Sequence, residues 1–115
     1  MDENKRYLSA SDILDAKDIE TVEVEVPEWK GVVRLRALSG EEALRFIELV
    51  QKDKSGAALK IVALCAVDEA GAQLFSPEQV EQLKTKSLRA IMRLQKEALR
   101  INGLSEDAQV EAKND

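Results

Sequence analysis

The side chains able to do chemistry in this sequence are carboxylates, lysines, arginines and one cysteine; no histidine occurs in its 115 residues. Histidine is the commonest general base, a principal zinc ligand and the usual partner of a nucleophilic Ser or Cys. Its absence removes most routes to hydrolysis or metal chemistry. Carboxylate or lysine chemistry stays open in principle, but no Gly-rich phosphate loop, HExxH pair or CxxC spacing supports it. Cys65 lies in an apolar run with no cation beside it, which reads as a buried, inert thiol. The chain is read as a non-enzyme that needs no cofactor and no metal.

What charged side chains can also do is recognise a partner. Lys86, Arg89, Arg93, Lys96 and Arg100 recur so that, at about 100° per residue, they share an arc of roughly 80° on a helix. The other side, Leu88, Ile91, Met92, Leu94, Ala98, Leu99 and Ile101, is broadly apolar. Three readings compete. An exposed helix face is normally charged, and Glu41, Glu42 or Glu81 could pair with these cations. The stripe could instead dock an acidic partner. It could also bind phosphate, making the chain a small nucleic-acid-binding regulatory domain. Acidic ends, no interleaved aromatics and a pI near 4.9 weaken that last reading.

Trp29 stands in a loop, where a large ring either folds onto its own domain or anchors a partner. Arg34 and Arg36 follow on the next strand. The candidate protein-binding residues are therefore Trp29, Arg34, Arg36, Arg89, Arg93, Lys96 and Arg100. The sharper expectation is a partner surface that combines the loop at Trp29 with Arg89, Arg93 and Arg100.

The elements that must position these residues are legible from periodicity. In Thr21 to Val26 the valines alternate with Glu23 and Glu25; in Val33 to Ala37 the apolar residues alternate with Arg34 and Arg36. Period-two alternation predicts an antiparallel hairpin with Val22, Val24, Val33 and Leu35 facing inward and the charges outward. Pro27 and Gly31 mark the turn. A four-residue loop sets Glu23 opposite Arg34, and a six-residue loop sets Glu25 there.

Ser39-Gly40-Glu41-Glu42 reads as a capping box, with Ala43, Phe46, Ile47 and Val50 on one helical face. Lys52 to Gly56 break that helix. Ala57 to Val67 is apolar except for Lys60 and predicts the central core helix. Gln73 to Phe75 offers a short extended piece after a turn at 68–71. Ser76-Pro77-Glu78-Gln79 opens a short helix. Ser87 opens the last long helix, which Asn102-Gly103-Leu104 closes with a left-handed glycine. The expected core includes Phe46, Ile47, Leu59, Val62, Cys65, Leu88, Ile91 and Leu99.

The fold class is thus α+β: one antiparallel hairpin, with a short third strand allowed, packed on about four helices with polar mobile termini. Residues 21–104 form the single domain. Residues 1–20 are a largely mobile segment with room for a docked helical turn at 8–14, and 105–115 an acidic mobile tail. The ends hold the acidity: six acids and three bases in 1–20, four acids and one base in 105–115, against twelve acids and thirteen bases between. No apolar run is long enough for a membrane span, no signal peptide opens the chain, and a lone cysteine suits a reducing compartment.

Three runs carry a family resemblance. VEVPEWKGVVRLRALSGEEA resembles the N-terminal part of the small tail assembly chaperones of long, non-contractile-tailed (siphovirus-type) bacteriophages and prophages. ALCAVDEAGAQLFSPEQVEQL is similar to the middle of that family and LRINGLSEDA to its C-terminal end, in the same order, over about residues 8 to 110. The resemblance implies a non-catalytic protein of the host cytoplasm, absent from the finished virion. It would bind the tape measure protein, keep it soluble, and help bring major tail tube subunits to it. Self-association stays open, and nucleic acid and membrane are not implied as partners. The family also commonly makes a longer form by ribosomal slippage. Ala112-Lys113-Asn114 can be encoded by a slippery A AAA AAC or A AAA AAT, which only the gene can show.

Overall fold

The computed structural model describes residues 5–104. The expectation of a mobile acidic tail at 105–115 lies outside the described residues, as does the extreme N-terminus.

Strands β1 (Thr21–Val26) and β2 (Gly31–Arg36) form the hairpin, with Glu23 opposite Arg34 and Val26 opposite Gly31. The connection is therefore the four-residue one. Pro27–Trp29 coil into a single 3-10 turn, closed by the Lys30 N–H donating to the Pro27 carbonyl. The left-handed residue is Lys30, at φ 56°, and not Gly31, which opens β2 in ordinary conformation. Inward valines and leucine behave as the alternation requires: Val24, Val26 and Leu35 are buried and Val22 and Val33 half-buried.

A third strand, β3 (Ala66–Val67), pairs antiparallel with β2, so the sheet order is β1-β2-β3. It comes from the end of the apolar run expected to be all helix. Gln73 contributes only one bridge, back to Val67. Ala66 pairs with Leu35 and Val67 with Arg34; this ladder satisfies backbone groups that one more helical turn would have paired internally. The turn between them is held by Asp68, whose carboxylate accepts the N–H groups of Ala70 and Ala72.

The α-helices are α1 (Ala10–Asp15), α2 (Gly40–Lys52), α3 (Ala57–Cys65), α4 (Pro77–Gln82) and α5 (Leu88–Ile101), the four expected in the domain and the short one allowed before it. Capping boxes start α1, α2 and α4 at Ser9, Ser39 and Ser76. The helical turn foreseen at 8–14 forms as α1 but does not dock, since none of its residues is buried. Helix α3 is the centre: Ile61 to Cys65 are all buried, and it touches α2, α4, α5 and β2. Its one cation, Lys60, donates to the Leu49 and Asp53 carbonyls at the end of α2, where a positive charge meets the helix dipole favourably.

Helix α5 lies against α3 and against the inner face of β1 and β2. Its end is a Schellman motif: the Leu104 N–H reaches the Leu99 carbonyl at 2.7 Å, the Gly103 N–H reaches Arg100, and Gly103 sits at φ 71°. The core joins Val24, Val26, Leu35, Ile61, Val62, Cys65, Leu94 and Ile101, with Phe46 and Phe75 packed on it.

Of the expected core residues, Val62 and Cys65 belong to this cluster and Phe46 packs on it; Ile91 is buried apart from it, Leu59 and Leu99 are half-buried outside it, and two are exposed. Ile47 is 48% exposed and Leu88 72% exposed. Helix α2 packs on α3 alone among its stronger neighbours, so Ala43, Phe46 and Val50 are half-covered while Ile47, at the edge of the apolar stripe, is not. Leu88 is the first residue of α5 and faces away from the buried arc formed by Ala90, Ile91, Leu94 and Ala98.

Candidate functional site

The candidate residues fall on two surfaces. Arg34 and Arg36 point from β2 to the side of the sheet opposite α5, as alternation demands. Arg34 donates to Glu23 at 3.2 Å and to the Glu69 carbonyl at 3.1 Å. It borders an open cleft of about 570 Å³ between the sheet and the 68–74 turn, with Val32, Val33, Val67 and Leu74 as its apolar lining. Arg36 donates to Glu42 Oε2 at 3.1 Å, while the other oxygen of Glu42 accepts the Ser39 N–H. One carboxylate therefore caps α2 and ties it to β2. Both arginines are half-buried and engaged.

The second surface belongs to α5 and the hairpin turn. Arg93 meets Glu28 through both guanidinium nitrogens, the Nη2–Oε2 contact measuring 3.2 Å. That hydrogen bonding holds the Glu28 carboxyl below its ordinary range and raises Arg93. The bidentate pair pins the turn to the helix 65 residues further on. Trp29, in the same turn, is half-buried and packs against the core. So the structure does bring Trp29 and Arg93 together, but Arg93 is spent on Glu28 and not on Glu41, Glu42 or Glu81.

The rest of the stripe divides. Arg100 pairs with Glu97, three residues before it on the helix. Lys86 precedes the N-cap Ser87, so it is not on the helix and leaves the predicted arc. Arg89 and Lys96 are exposed and form no ion pair among the described residues. Beside them, Leu88 and Met92 are 72% and 53% exposed. These two apolar residues are what sequence reasoning missed. The pattern put both on the apolar side of the helix and Leu88 in the expected core, although their angular position next to Arg89 and Lys96 was already a signal.

No group of three His, Cys, Asp or Glu side chains able to hold a metal exists among the described residues. Cys65 is fully buried, and loss of hydration pushes its thiol up to about 11. No helix among the described residues is long and apolar enough to cross a membrane.

No family model and no curated protein matches the chain. Among solved structures, the tail assembly chaperone of bacteriophage HK97 matches with 31% sequence identity and a TM-score of 0.59. The match covers 79% of this chain and 90% of that chain. The chain belongs to the phage tail assembly chaperones. Within this tail assembly chaperone the acidic pair Glu23 and Glu28 and the basic residues Arg34 and Arg93 are internal struts. Of the α5 cations, Arg93 and Arg100 are engaged in ion pairs, and Arg89 and Lys96 form no salt bridge among the described residues.

Proposed function

We propose that the protein is a non-catalytic chaperone of phage tail assembly. It binds the tape measure protein, keeps it soluble, and helps recruit major tail tube subunits to it. The work takes place in the cytoplasm of the bacterial host, and the chaperone is left out of the finished virion.

The likeness to the HK97 chaperone over most of both chains carries this reading. The surface suits it. Leu44, Ile47, Leu88 and Met92 stay exposed on two helices around a well-filled core. A long helical protein that has not yet been enclosed by its tube exposes apolar stripes and is prone to aggregate. Many small domains covering those stripes would favour the soluble form by mass action.

The test is co-expression with the tape measure protein encoded by the same phage or prophage. The expected result is a soluble complex that survives purification, against an insoluble tape measure protein when expressed alone. Equal insolubility with and without this chain would overturn the reading.

A further inference from the structure

The exposed side of α5 carries two parallel strips. At about 100° per residue, Leu88, Met92 and Leu99 fall within an arc of roughly 40°, and Arg89, Lys96 and Arg100 within the neighbouring arc of similar width. The buried residues of the helix, Ala90, Ile91, Leu94, Ala98 and Ile101, lie on the far side. The apolar strip is therefore surplus to the core. We propose that this face docks an amphipathic helix of a partner protein whose apolar ridge is flanked by carboxylates.

Four observations converge on that occupant. Leu88 and Met92 are 72% and 53% exposed, with Leu99 half-buried beyond them. Unbranched Met adapts its shape to a packing ridge. From Leu88 to Leu99 the strip runs about 16 Å, the length of three helical turns on a partner. Arg93 and Arg100 are occupied by Glu28 and Glu97, whereas Lys96 forms no salt bridge among the described residues and Arg89 acts on Glu28 only through space, without a salt bridge. Those two stand seven residues apart, roughly 10 Å along the axis, which matches carboxylates two turns apart on a packed helix. A nucleic-acid backbone would use the cations but leave Leu88 and Met92 wet; an acidic amphipathic helix uses both strips.

The proposal rests on the reading of the chain as a chaperone of helical partners, and it is tested without the tape measure protein. Two labelled 18-residue helical peptides serve as probes in fluorescence anisotropy. Both carry leucines at i, i+4, i+7 and i+11; one has glutamates flanking them, the other lysines. The glutamate peptide is expected to bind at least tenfold more tightly, more weakly at high salt, and less well to Met92→Asp. The double variant Arg89→Glu/Lys96→Glu is expected to reverse the order, binding the lysine peptide better, a gain that misfolding cannot mimic.

Equal binding of the two peptides, binding of neither, or no reversal would overturn the proposal. So would tighter retention of a 20-base-pair duplex than of the glutamate peptide, which would assign the strip to phosphate. An oligomer that Met92→Asp dissolves in sedimentation would assign the face to a second copy and would overturn it as well. If the peptides sort by charge while co-expression rescues no tape measure protein, the docking face stands and the tail assembly function falls; the opposite pair of results does the reverse.

Discussion

The side-chain amide of Asn102 holds the backbone of Leu38: its Oδ1 accepts the Leu38 N–H at 2.7 Å across 64 residues of sequence. Its Nδ2 donates to the Ala98 carbonyl at 2.7 Å and lies 3.5 Å from Cys65 Sγ. One half-buried amide thus joins the linker between β2 and α2, the last turn of α5, and α3. The same residue is the C-cap of α5. The end of the last helix and the segment that follows the hairpin are therefore tied through one side chain.

Asn102→Ala should destabilise the fold by about 1–3 kcal/mol, because the Leu38 N–H and the Ala98 carbonyl lose their partner where water has poor access. A denaturant melt checks it. A change below about 0.5 kcal/mol would mean that both groups rehydrate freely and that the amide is no tie.

Leu94 and Leu88 share one helix and differ in surroundings, being 1% and 72% exposed. Leu94→Ala should cost about 2–5 kcal/mol through lost transfer energy and the cavity left behind. Leu88→Ala should stay within about 0.5 kcal/mol. Similar losses at the two sites would refute the placement of the helix faces.

The Glu28–Arg93 pair gives a pH signature. Hydrogen bonding from Arg93 lowers the Glu28 carboxyl below the ordinary 4.5, so the folded state binds its proton less readily than the unfolded chain does. Its contribution is present above pH 4.5 and is lost as pH falls through the lowered folded value. Asp12 and Asp53 are lowered too, through hydrogen bonds from Ser9 and Ser55, so the wild type alone does not isolate the effect. The gap in melting temperature between wild type and Glu28→Gln should shrink on acidification below about pH 4.5. A gap that stays constant down to about pH 3 would show that the pair has no ionic part.

Cys65 should resist alkylation. Burial raises its thiol from 9.0 to about 11, leaving almost no thiolate at neutral pH, and the side chain is out of reach of reagent. Iodoacetamide should label the native protein far more slowly than the urea-unfolded chain. Because the unfolded chain loses this proton first, stability should also fall as pH rises from 9.0 towards 11. Equal labelling rates in the two states would place the thiol at the surface.

Much of the fold is local and so was legible in the residues. Ser39 with Glu42 and Ser76 with Gln79 close capping boxes whose partners are three residues apart. Gly103 supplies a left-handed φ that few other residues adopt cheaply. The valines of β1 alternate because one face of the sheet is covered. Each of these signals needs only neighbours along the chain, which is why the α+β class, the hairpin and the ends of α5 could be read directly.

The site was less legible because its meaning depends on what arrives from elsewhere. Periodicity put Ile47, Leu88 and Met92 on apolar helix faces but could not say whether a second element would cover them. In the fold, α3 and the sheet take up the available cover, and these side chains stay outside. The basic stripe was visible, but only the packing of the hairpin turn onto α5 decided that Arg93 would be taken by Glu28, leaving Arg89 and Lys96 without an ion pair among the described residues. Ala66 and Val67 have no strand signal of their own beyond a helical-looking run; they became β3 because β2 offered a free edge. Sequence by itself determined where the chain turns, caps and alternates, since those energies are set within a few residues. Tertiary structure alone decided which apolar and charged groups remain for a partner, since burial and ion pairing are properties of surfaces that meet across the fold.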